Sequence, residues 1–190
     1  MRRSQEMPRR EGVRSATSDD YWLALRRVHG AAPRTCRLLL GRFGSAERIF
    51  KAAEEEIIAA RVGRNVARAF ASFGDFAPLE RELCELPRLG ARLVRWTDAE
   101  YPSNLRQIAD PTPYLIARGL IEPGETSCVA VVGARAASEA GLRMAERLGF
   151  ELAARGFVVV SGLAREIDGA AHRGALDARG THDRGAGMRD

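Results

Sequence analysis

Two short runs of consecutive apolar residues, separated by a helical pattern, constrain the fold of this 190-residue chain more than any other feature. The runs are Cys128–Val132 and Phe157–Val160, and a glycine or a serine–glycine pair follows each one directly. Continuous rather than alternating apolar character predicts strands that are buried on both faces, as in a parallel sheet. Residues 138–154, between the runs, carry apolar side chains at helical intervals. The sequence therefore predicts a right-handed strand–helix–strand unit.

Further elements are predicted on either side of this unit. Leu93–Trp96 and Tyr114–Ala117 are short apolar segments that predict two more strands. Asp168 is suited to cap a final helix that runs through Leu176. The second half of the chain is therefore predicted to be an α/β domain.

The first half of the chain has the pattern of short helices joined by glycine-containing turns. Ser18 or Asp19 can cap the first helix, Pro33 suits the first turn of the second, and Ser45 can cap the third. Two further short helices are predicted over residues 53–61 and 64–73. This half is therefore predicted to be all-helical.

The chain is basic, with a formal net charge of +5 and an isoelectric point near 9.7. Residues 1–18 hold five arginines and two glutamates, so more than half of the excess lies in a predicted flexible tail. Lys51 is the one lysine among the 30 cationic residues, a bias that GC-rich coding DNA also produces. Net charge alone therefore does not establish nucleic-acid binding.

Composition excludes several protein classes. Hydrophobic residues make up 45% of the chain and charged residues 29%, as in ordinary globular proteins. No stretch reaches the ~18 consecutive apolar residues of a membrane helix, and no secretory signal is recognised at the N-terminus. The three cysteines, Cys36, Cys84 and Cys128, are far apart. They predict reduced thiols in a cytoplasm rather than disulfides or a metal site.

The most informative candidate site lies where the two predicted parallel strands end, because ligands bind beyond the carboxyl ends of such strands. Glycine lets a backbone approach an anion, a following helix adds a favourable dipole, and arginine matches phosphate oxygens with its planar fork. The sequence therefore predicts a phosphate-binding site, called here the strand-end site. Its candidate residues are Gly133, Arg135, Ser138, Ser161, Gly162 and Arg165.

Other interpretations of this region remain open. The glycines can equally make tight strand–helix turns, because neither G-x-G-x-x-G nor a Walker sequence is present. Ser161, Asp168 and His172 could form a nucleophile, an orienter and a base, but no G-x-S-x-G elbow surrounds the serine. A helix cap at Asp168 and a histidine that donates to a carbonyl are the preferred interpretation. A metal site at Asp168 and His172 lacks a third and fourth ligand.

Three segments carry a resemblance to a known family. They are residues 129–138 (Val-Ala-Val-Val-Gly-Ala-Arg-Ala-Ala-Ser), residues 156–165 (Gly-Phe-Val-Val-Val-Ser-Gly-Leu-Ala-Arg) and residues 167–176 (Ile-Asp-Gly-Ala-Ala-His-Arg-Gly-Ala-Leu). They closely resemble the bacterial DNA-processing family DprA, also called Smf. Residues 101–119 resemble the entry to its Rossmann-like domain. Residues 29–45 resemble its N-terminal helical domain, which is related to helix–hairpin–helix and sterile-alpha-motif folds.

The resemblance implies a Rossmann-like parallel sheet, here incomplete, preceded by a small helical domain. It implies binding rather than catalysis, without a cofactor or metal. Members of the family bind and protect single-stranded DNA during natural transformation, load the RecA recombinase on it, and form homodimers. Arg135 matches the family's DNA-contacting arginine. The residues that match the walls of its DNA pocket are Gly133, Ser161, Gly162 and Arg165.

The resemblance and the composition together predict a domain organisation. From the N-terminus, it consists of a disordered basic tail (1–18), a helical domain (19–77), a linker (78–90), the front of a Rossmann-like DNA-binding domain (91–180) and a tail foreign to the family (181–190).

The sequence departs from the family pattern at three places. Ala136 stands where the family usually has a basic residue, and Glu166 replaces the second glycine of Ser-Gly-Leu-Ala-Arg-Gly-Ile-Asp. The match stops near Gly180, and a reading-frame slip would explain the different tail. We therefore expect a C-terminally truncated member that lacks most of the dimer surface. We also expect residues 91–190 to fold poorly alone, to aggregate, or to bind DNA weakly.

Two other functions remain as alternatives to DNA binding. A Rossmann-like enzyme acting on nucleotides or phosphosugars could use the same strand ends. The Pro-Gly-Gly-x-Gly-Thr motif of nucleoside-monophosphate phosphoribohydrolases is absent from the sequence. A helix–hairpin–helix interaction module could use the α/β part only as a scaffold.

Overall fold

The computed structural model describes residues 16–121 and 127–186. The chain divides into two compact units, residues 1–124 and residues 125–190, called here the N-terminal and C-terminal units. Most of the predicted tail lies outside the described residues, and the first helix begins at Ser18, the last residue of that predicted tail. The division near residue 124 groups the first two strands with the helices that precede them.

The N-terminal unit begins with six helices, most of them short. They are α1 (Ser18–Ala24), α2 (Pro33–Phe43), α3 (Ala46–Lys51), α4 (Glu54–Ala59), α5 (Arg64–Ala71) and α6 (Ala77–Arg88). The prediction of a linker at residues 78–90 is therefore wrong, because α6 occupies nearly all of this segment. Its two prolines suggested a break, but Pro78 lies in the first turn and Pro87 in the last. Leu79 and Leu86 lie on its buried face.

A single apolar core holds the first five helices together. Ser45 caps α3 as predicted, since its Oγ accepts a hydrogen bond from the Arg48 N–H at 3.2 Å. The Phe50 ring lies 5.3 Å from the rings of both Phe70 and Phe73. Large buried side chains of this core include Trp22, Leu25, Leu39, Ile49, Ile57 and Phe70. Burial on this scale favours a stable helical fold.

The first two strands belong to the N-terminal unit and form an antiparallel pair. Strand β1 (Ala91–Arg95) pairs with β2 (Tyr114–Arg118), with Val94 opposite Leu115. The connection between them contains only the five-residue helix α7 (Ser103–Gln107). A parallel pairing needs a crossover, usually a longer helix, and here the chain simply reverses direction. The predicted single parallel sheet of about four strands is therefore wrong for the described residues, which form two separate two-stranded sheets.

The C-terminal unit is a strand–helix–strand–helix arrangement, as predicted. Its elements are β3 (Cys128–Ala130), α8 (Glu139–Ala154), β4 (Val158–Val160) and α9 (Ile167–Ala186). Strands β3 and β4 are parallel. The expectation that both faces of these strands are buried is wrong, because no residue of β3 or β4 is fully buried and Val160 is 44% exposed. Helices α8 and α9 therefore do not cover the whole ladder.

Helix α9 also accounts for most of the segment predicted as a tail foreign to the family. It continues to Ala186, and residues 187–190 lie outside the described residues. No helix in the described ranges is long and apolar enough to span a membrane.

Candidate nucleic-acid interface

The parallel register brings the two predicted strand ends together. Ala130 lies opposite Val160, and the Val131 N–H donates to the Val160 carbonyl at 2.9 Å. The loop that contains Gly133 and the loop that begins at Ser161 therefore leave the same edge of the ladder. The residues of the strand-end site thus lie in two adjacent loops, followed by α8 and α9.

Ile167, the first residue of α9, packs against the first of these loops. A Cβ placed on Gly133 would lie 2.6–2.7 Å from three side-chain atoms of Ile167, which is closer than atoms pack. Ile167 Cδ1 also lies 3.5 Å from the Cβ position of Gly141 in α8. The absence of a side chain at Gly133 is therefore required by the packing of Ile167. No local pattern predicts this role for Ile167, although its position beside Asp168 in the family-like segment is a signal.

Ser138 is the N-cap of α8. Its Oγ accepts a hydrogen bond from the Gly141 N–H at 3.2 Å, and its backbone is extended. This contact fixes the start of a helix of 16 residues directly after the loop that carries Arg135. The positive end of the α8 dipole therefore lies next to the first strand end.

Arg135 and Arg165 provide the positive charge of the strand-end site. Both are exposed, and neither guanidinium makes an ion pair or hydrogen bond to any residue that the structure describes. Arginines on α8 differ, because Arg143, Arg147 and Arg155 each pair with a glutamate one turn away. The strand-end guanidinium groups are therefore available to an anion from solution.

The second loop is organised around the Ser161 hydroxyl. Its Oγ accepts a hydrogen bond from the Leu163 N–H at 2.9 Å and lies 2.7 Å from His172 Nε2. The expectation that His172 donates to a carbonyl is therefore wrong. Position 172 lies one helical turn after Asp168 at the loop-facing start of α9, so the ring reaches the serine. The spacing of Ser161 and His172 was visible in the sequence, but the loop that closes the distance was not.

Asp168 stabilises the same loop through a hydrogen bond to its backbone. Its carboxylate is 3% exposed, and Oδ2 accepts a hydrogen bond from the Ala164 N–H at 3.3 Å. Asp168 therefore lies inside the first turn of α9 and stabilises the preceding loop, rather than capping the helix from outside.

The contacts of Asp168 bear on the nucleophile interpretation. Within the described ranges, Asp168 makes no hydrogen bond to His172, so the orienter that a serine–histidine–aspartate triad requires is missing. The same ranges contain no group of three or more histidine, cysteine or acidic side chains that could hold a metal ion. Within the described residues, the geometry therefore supports neither a serine–histidine–aspartate triad nor a metal site.

Comparison with known proteins identifies the family of the chain. Residues 92–182 match the sequence profile of the DNA recombination-mediator protein A family. The chain belongs to this family. Its curated relatives carry the names DprA and Smf.

Three of these relatives show the extent of the similarity. The DNA processing protein DprA of Bacillus subtilis is 32% identical over 55% of this chain and 36% of its own length. Protein Smf of Escherichia coli is 36% identical over 54% of this chain and 27% of its own length. Protein Smf of Synechocystis is 28% identical over 84% of this chain and 42% of its own length. The chain therefore spans less than half the length of these DprA and Smf proteins.

The fold is also similar to a solved member of the DprA family. The X-ray structure of DNA processing protein A from Streptococcus pneumoniae matches with a TM-score of 0.64 at 24% identity. The match covers 84% of this chain and 54% of the solved one. This likeness concerns the fold alone.

Glu166 departs from the DprA pattern at a position where backbone geometry favours glycine. Its φ is 75°, in the left-handed region, and its carbonyl accepts the Ala170 N–H at 2.8 Å at the start of α9. A side chain is strained in this conformation. A carboxylate next to Arg165 also lowers the positive potential of the strand-end site.

Proposed function

We propose that this chain binds single-stranded DNA through the phosphates at the strand-end site, as a protein of the DprA type. In this proposal the chain protects DNA taken up during natural transformation and helps to load RecA on it. It acts in the cytoplasm, without catalysis and without a cofactor. The proposal also includes homodimer formation, as implied by the resemblance to the DprA family.

The proposal includes the finer description of the fold. The C-terminal unit is the front of a Rossmann-like domain, and the helices of the N-terminal unit form a helix–hairpin–helix or sterile-alpha-motif-like domain. In this description, residues 19–77 are the helical domain, and residues 91–180 contribute to the DNA-binding domain.

The observation that carries the proposal is the pair of exposed guanidinium groups of Arg135 and Arg165, which lie at two adjacent strand ends and bond to none of the described residues. Backbone phosphates of a single strand need positive charge and N–H donors, and they need no acid–base pair. The N-terminal turn of α8 and the exposed backbone at Gly162 add donors to the same edge.

Titration of the full chain with a fluorescent oligo-dT, followed by anisotropy, tests this proposal. Arg135→Ala should weaken binding roughly tenfold, or about 1.4 kcal/mol. Arg155→Ala is the matched control, because it removes the same charge at the other end of α8 from a side chain already bonded to Glu151. Arg135→Ala should also make the slope of log K against log salt less steep by about 0.7, the value for one single-strand phosphate.

Three further measurements complete the test. A duplex competitor should displace oligo-dT poorly, and RecA filament assembly on coated single strands should be accelerated by the wild-type chain. Hydrolysis of nucleoside monophosphates should not be detected. Equal binding by Arg135→Ala and Arg155→Ala would place the DNA elsewhere, and nucleotide turnover would favour the enzyme alternative.

A further inference from the structure

The contact between Ser161 and His172 lies within the strand-end site and limits where the serine hydroxyl can direct its hydrogen. Leu163 N and His172 Nε2 lie 2.9 and 2.7 Å from Ser161 Oγ. A serine hydroxyl has one donor hydrogen and two acceptor lone pairs. The Leu163 N–H occupies one lone pair, so the histidine either takes the hydrogen or occupies the second lone pair.

We propose that His172 is a positioning residue for anion binding, because its Nε2–H donates to Ser161 Oγ and leaves the serine hydrogen for a phosphate oxygen. This inference rests on the proposed binding of DNA phosphates. It assigns to α9 a role in recognition that the strand-end residues alone do not supply. In the opposite tautomer, Ser161 donates to the ring, and its hydroxyl has no hydrogen left for the DNA.

The surroundings of the pair leave the serine hydroxyl within reach of an anion. Gly162, the next residue, is exposed and Ser161 is half-buried, so an anion can reach the hydroxyl from the open side of the loop. The buried Asp168 carboxylate is already engaged by the Ala164 N–H. A hydroxyl that accepts two hydrogen bonds is a better donor, because hydrogen bonds in a chain polarise one another.

A double-mutant cycle on the full chain separates positioning from simple packing. Ser161→Ala and His172→Ala should each weaken oligo-dT binding, by about tenfold if the bond to phosphate is charge-assisted. The double variant should be no weaker than Ser161→Ala, because His172 acts through the serine. His172→Gln should restore most of the affinity, since its amide nitrogen can donate to the same oxygen.

Two results of this cycle would overturn the inference. One is that His172→Ala weakens oligo-dT binding as much in the Ser161→Ala background as in the wild-type chain. The other is that His172→Gln binds oligo-dT no better than His172→Ala. Amide hydrogen exchange in α9 shows whether each variant keeps its fold. If Ser161→Ala or the double variant is destabilised, the comparison of His172→Gln with His172→Ala still tests the inference.

Nitrogen-15 NMR of the His172 ring gives a readout that does not need DNA. The inference expects a proton on Nε2, both alone and with inorganic phosphate, and an unprotonated Nε2 overturns it. If the wild-type chain fails to bind oligo-dT while Nε2 carries its proton, the proposed function fails and the positioning of Ser161 stands.

Discussion

Gly174 of α9 lies directly against the backbone of α8, so that a Cβ at this position would overlap the carbonyl oxygen of Glu146. Gly149 of α8 has the reciprocal relationship with the carbonyl of Ala171 in α9. The two helices therefore approach each other through two glycines. Because the backbones of the two helices are in direct contact at these positions, the helices cannot move closer together and have little freedom to move apart without leaving a void.

Gly174→Ala should destabilise the C-terminal unit by about 3 kcal/mol, because the added methyl meets backbone rather than a flexible side chain. Amide hydrogen exchange in α8, measured by mass spectrometry on the full chain, reports this loss. Gly141→Ala is the control on the same helix, since the atoms nearest its Cβ position lie at 3.5 Å. It should be neutral or stabilising by up to ~1 kcal/mol. Equal exchange in the two variants would contradict the close approach.

Glu166→Gly should stabilise the C-terminal unit by about 1 kcal/mol and tighten oligo-dT binding, because it relieves a left-handed φ and removes a carboxylate from the strand-end site. Glu166→Gln separates the two effects, since it removes the charge and keeps the strain. The glutamine variant should gain DNA affinity without the gain in exchange protection. Unchanged affinity in both variants would argue against a DNA site at these loops.

Cys36 should resist thiol reagents at pH 8, where the exposed Cys84 and Cys128 react. Burial raises the pKa of the Cys36 thiol from 9.0 to about 11, so the reactive thiolate is scarce in the folded chain. A colorimetric thiol assay should count two fast groups in buffer and three in guanidinium chloride. Three fast groups in buffer would show that this core opens readily.

The same pKa shift makes the N-terminal unit less stable in alkali. Above pH 9 the unfolded thiol loses a proton that the folded thiol keeps, so the free energy of unfolding falls as the pH rises toward 11. Burial also raises the pKa of Tyr101 and Tyr114, and these phenols act in the same direction. Comparison with Cys36→Ala isolates the thiol, and an identical pH slope in that variant would contradict this assignment.

Asp20→Ala should destabilise the N-terminal unit by about 1–2 kcal/mol. The buried Asp20 carboxylate accepts hydrogen bonds from the Thr17 N–H at 2.6 Å and from its hydroxyl at 2.7 Å, which together fix the start of α1. Fluorescence of Trp22 and Trp96, the two tryptophans of the chain, follows unfolding of this unit. Asp20→Asn keeps an acceptor and should lose less, so an equal loss in both variants would assign the effect to charge.

Local patterns predicted most elements of the C-terminal unit. The apolar stripe over residues 138–154 located α8, and the two apolar runs located β3 and β4. These features depend on residues within a few positions of one another. For the same reason, Ser45 was predicted correctly as the cap of α3.

Long-range relationships were not accessible from the sequence. The antiparallel pairing of β1 with β2 depends on how residues 96–113 turn the chain, and α6 depends on burial that outweighs two prolines. The Ser161–His172 contact depends on the path of the loop between them. The roles of the six strand-end residues in DNA binding, and the poor folding expected of residues 91–190, stay predictions.

The parallel ladder of β3 and β4 has a consequence for biosynthesis. β3 leaves the ribosome about 30 residues before its partner, a delay of a few seconds at ~5–20 residues per second. During that time its N–H and carbonyl groups have only water or chaperones to bond. Ile167 and His172 emerge later still, so a nascent chain has no assembled strand-end site until the start of α9 is outside the exit tunnel. The two loops at this edge therefore reach their folded arrangement only after both strands and the first turns of α9 have been translated.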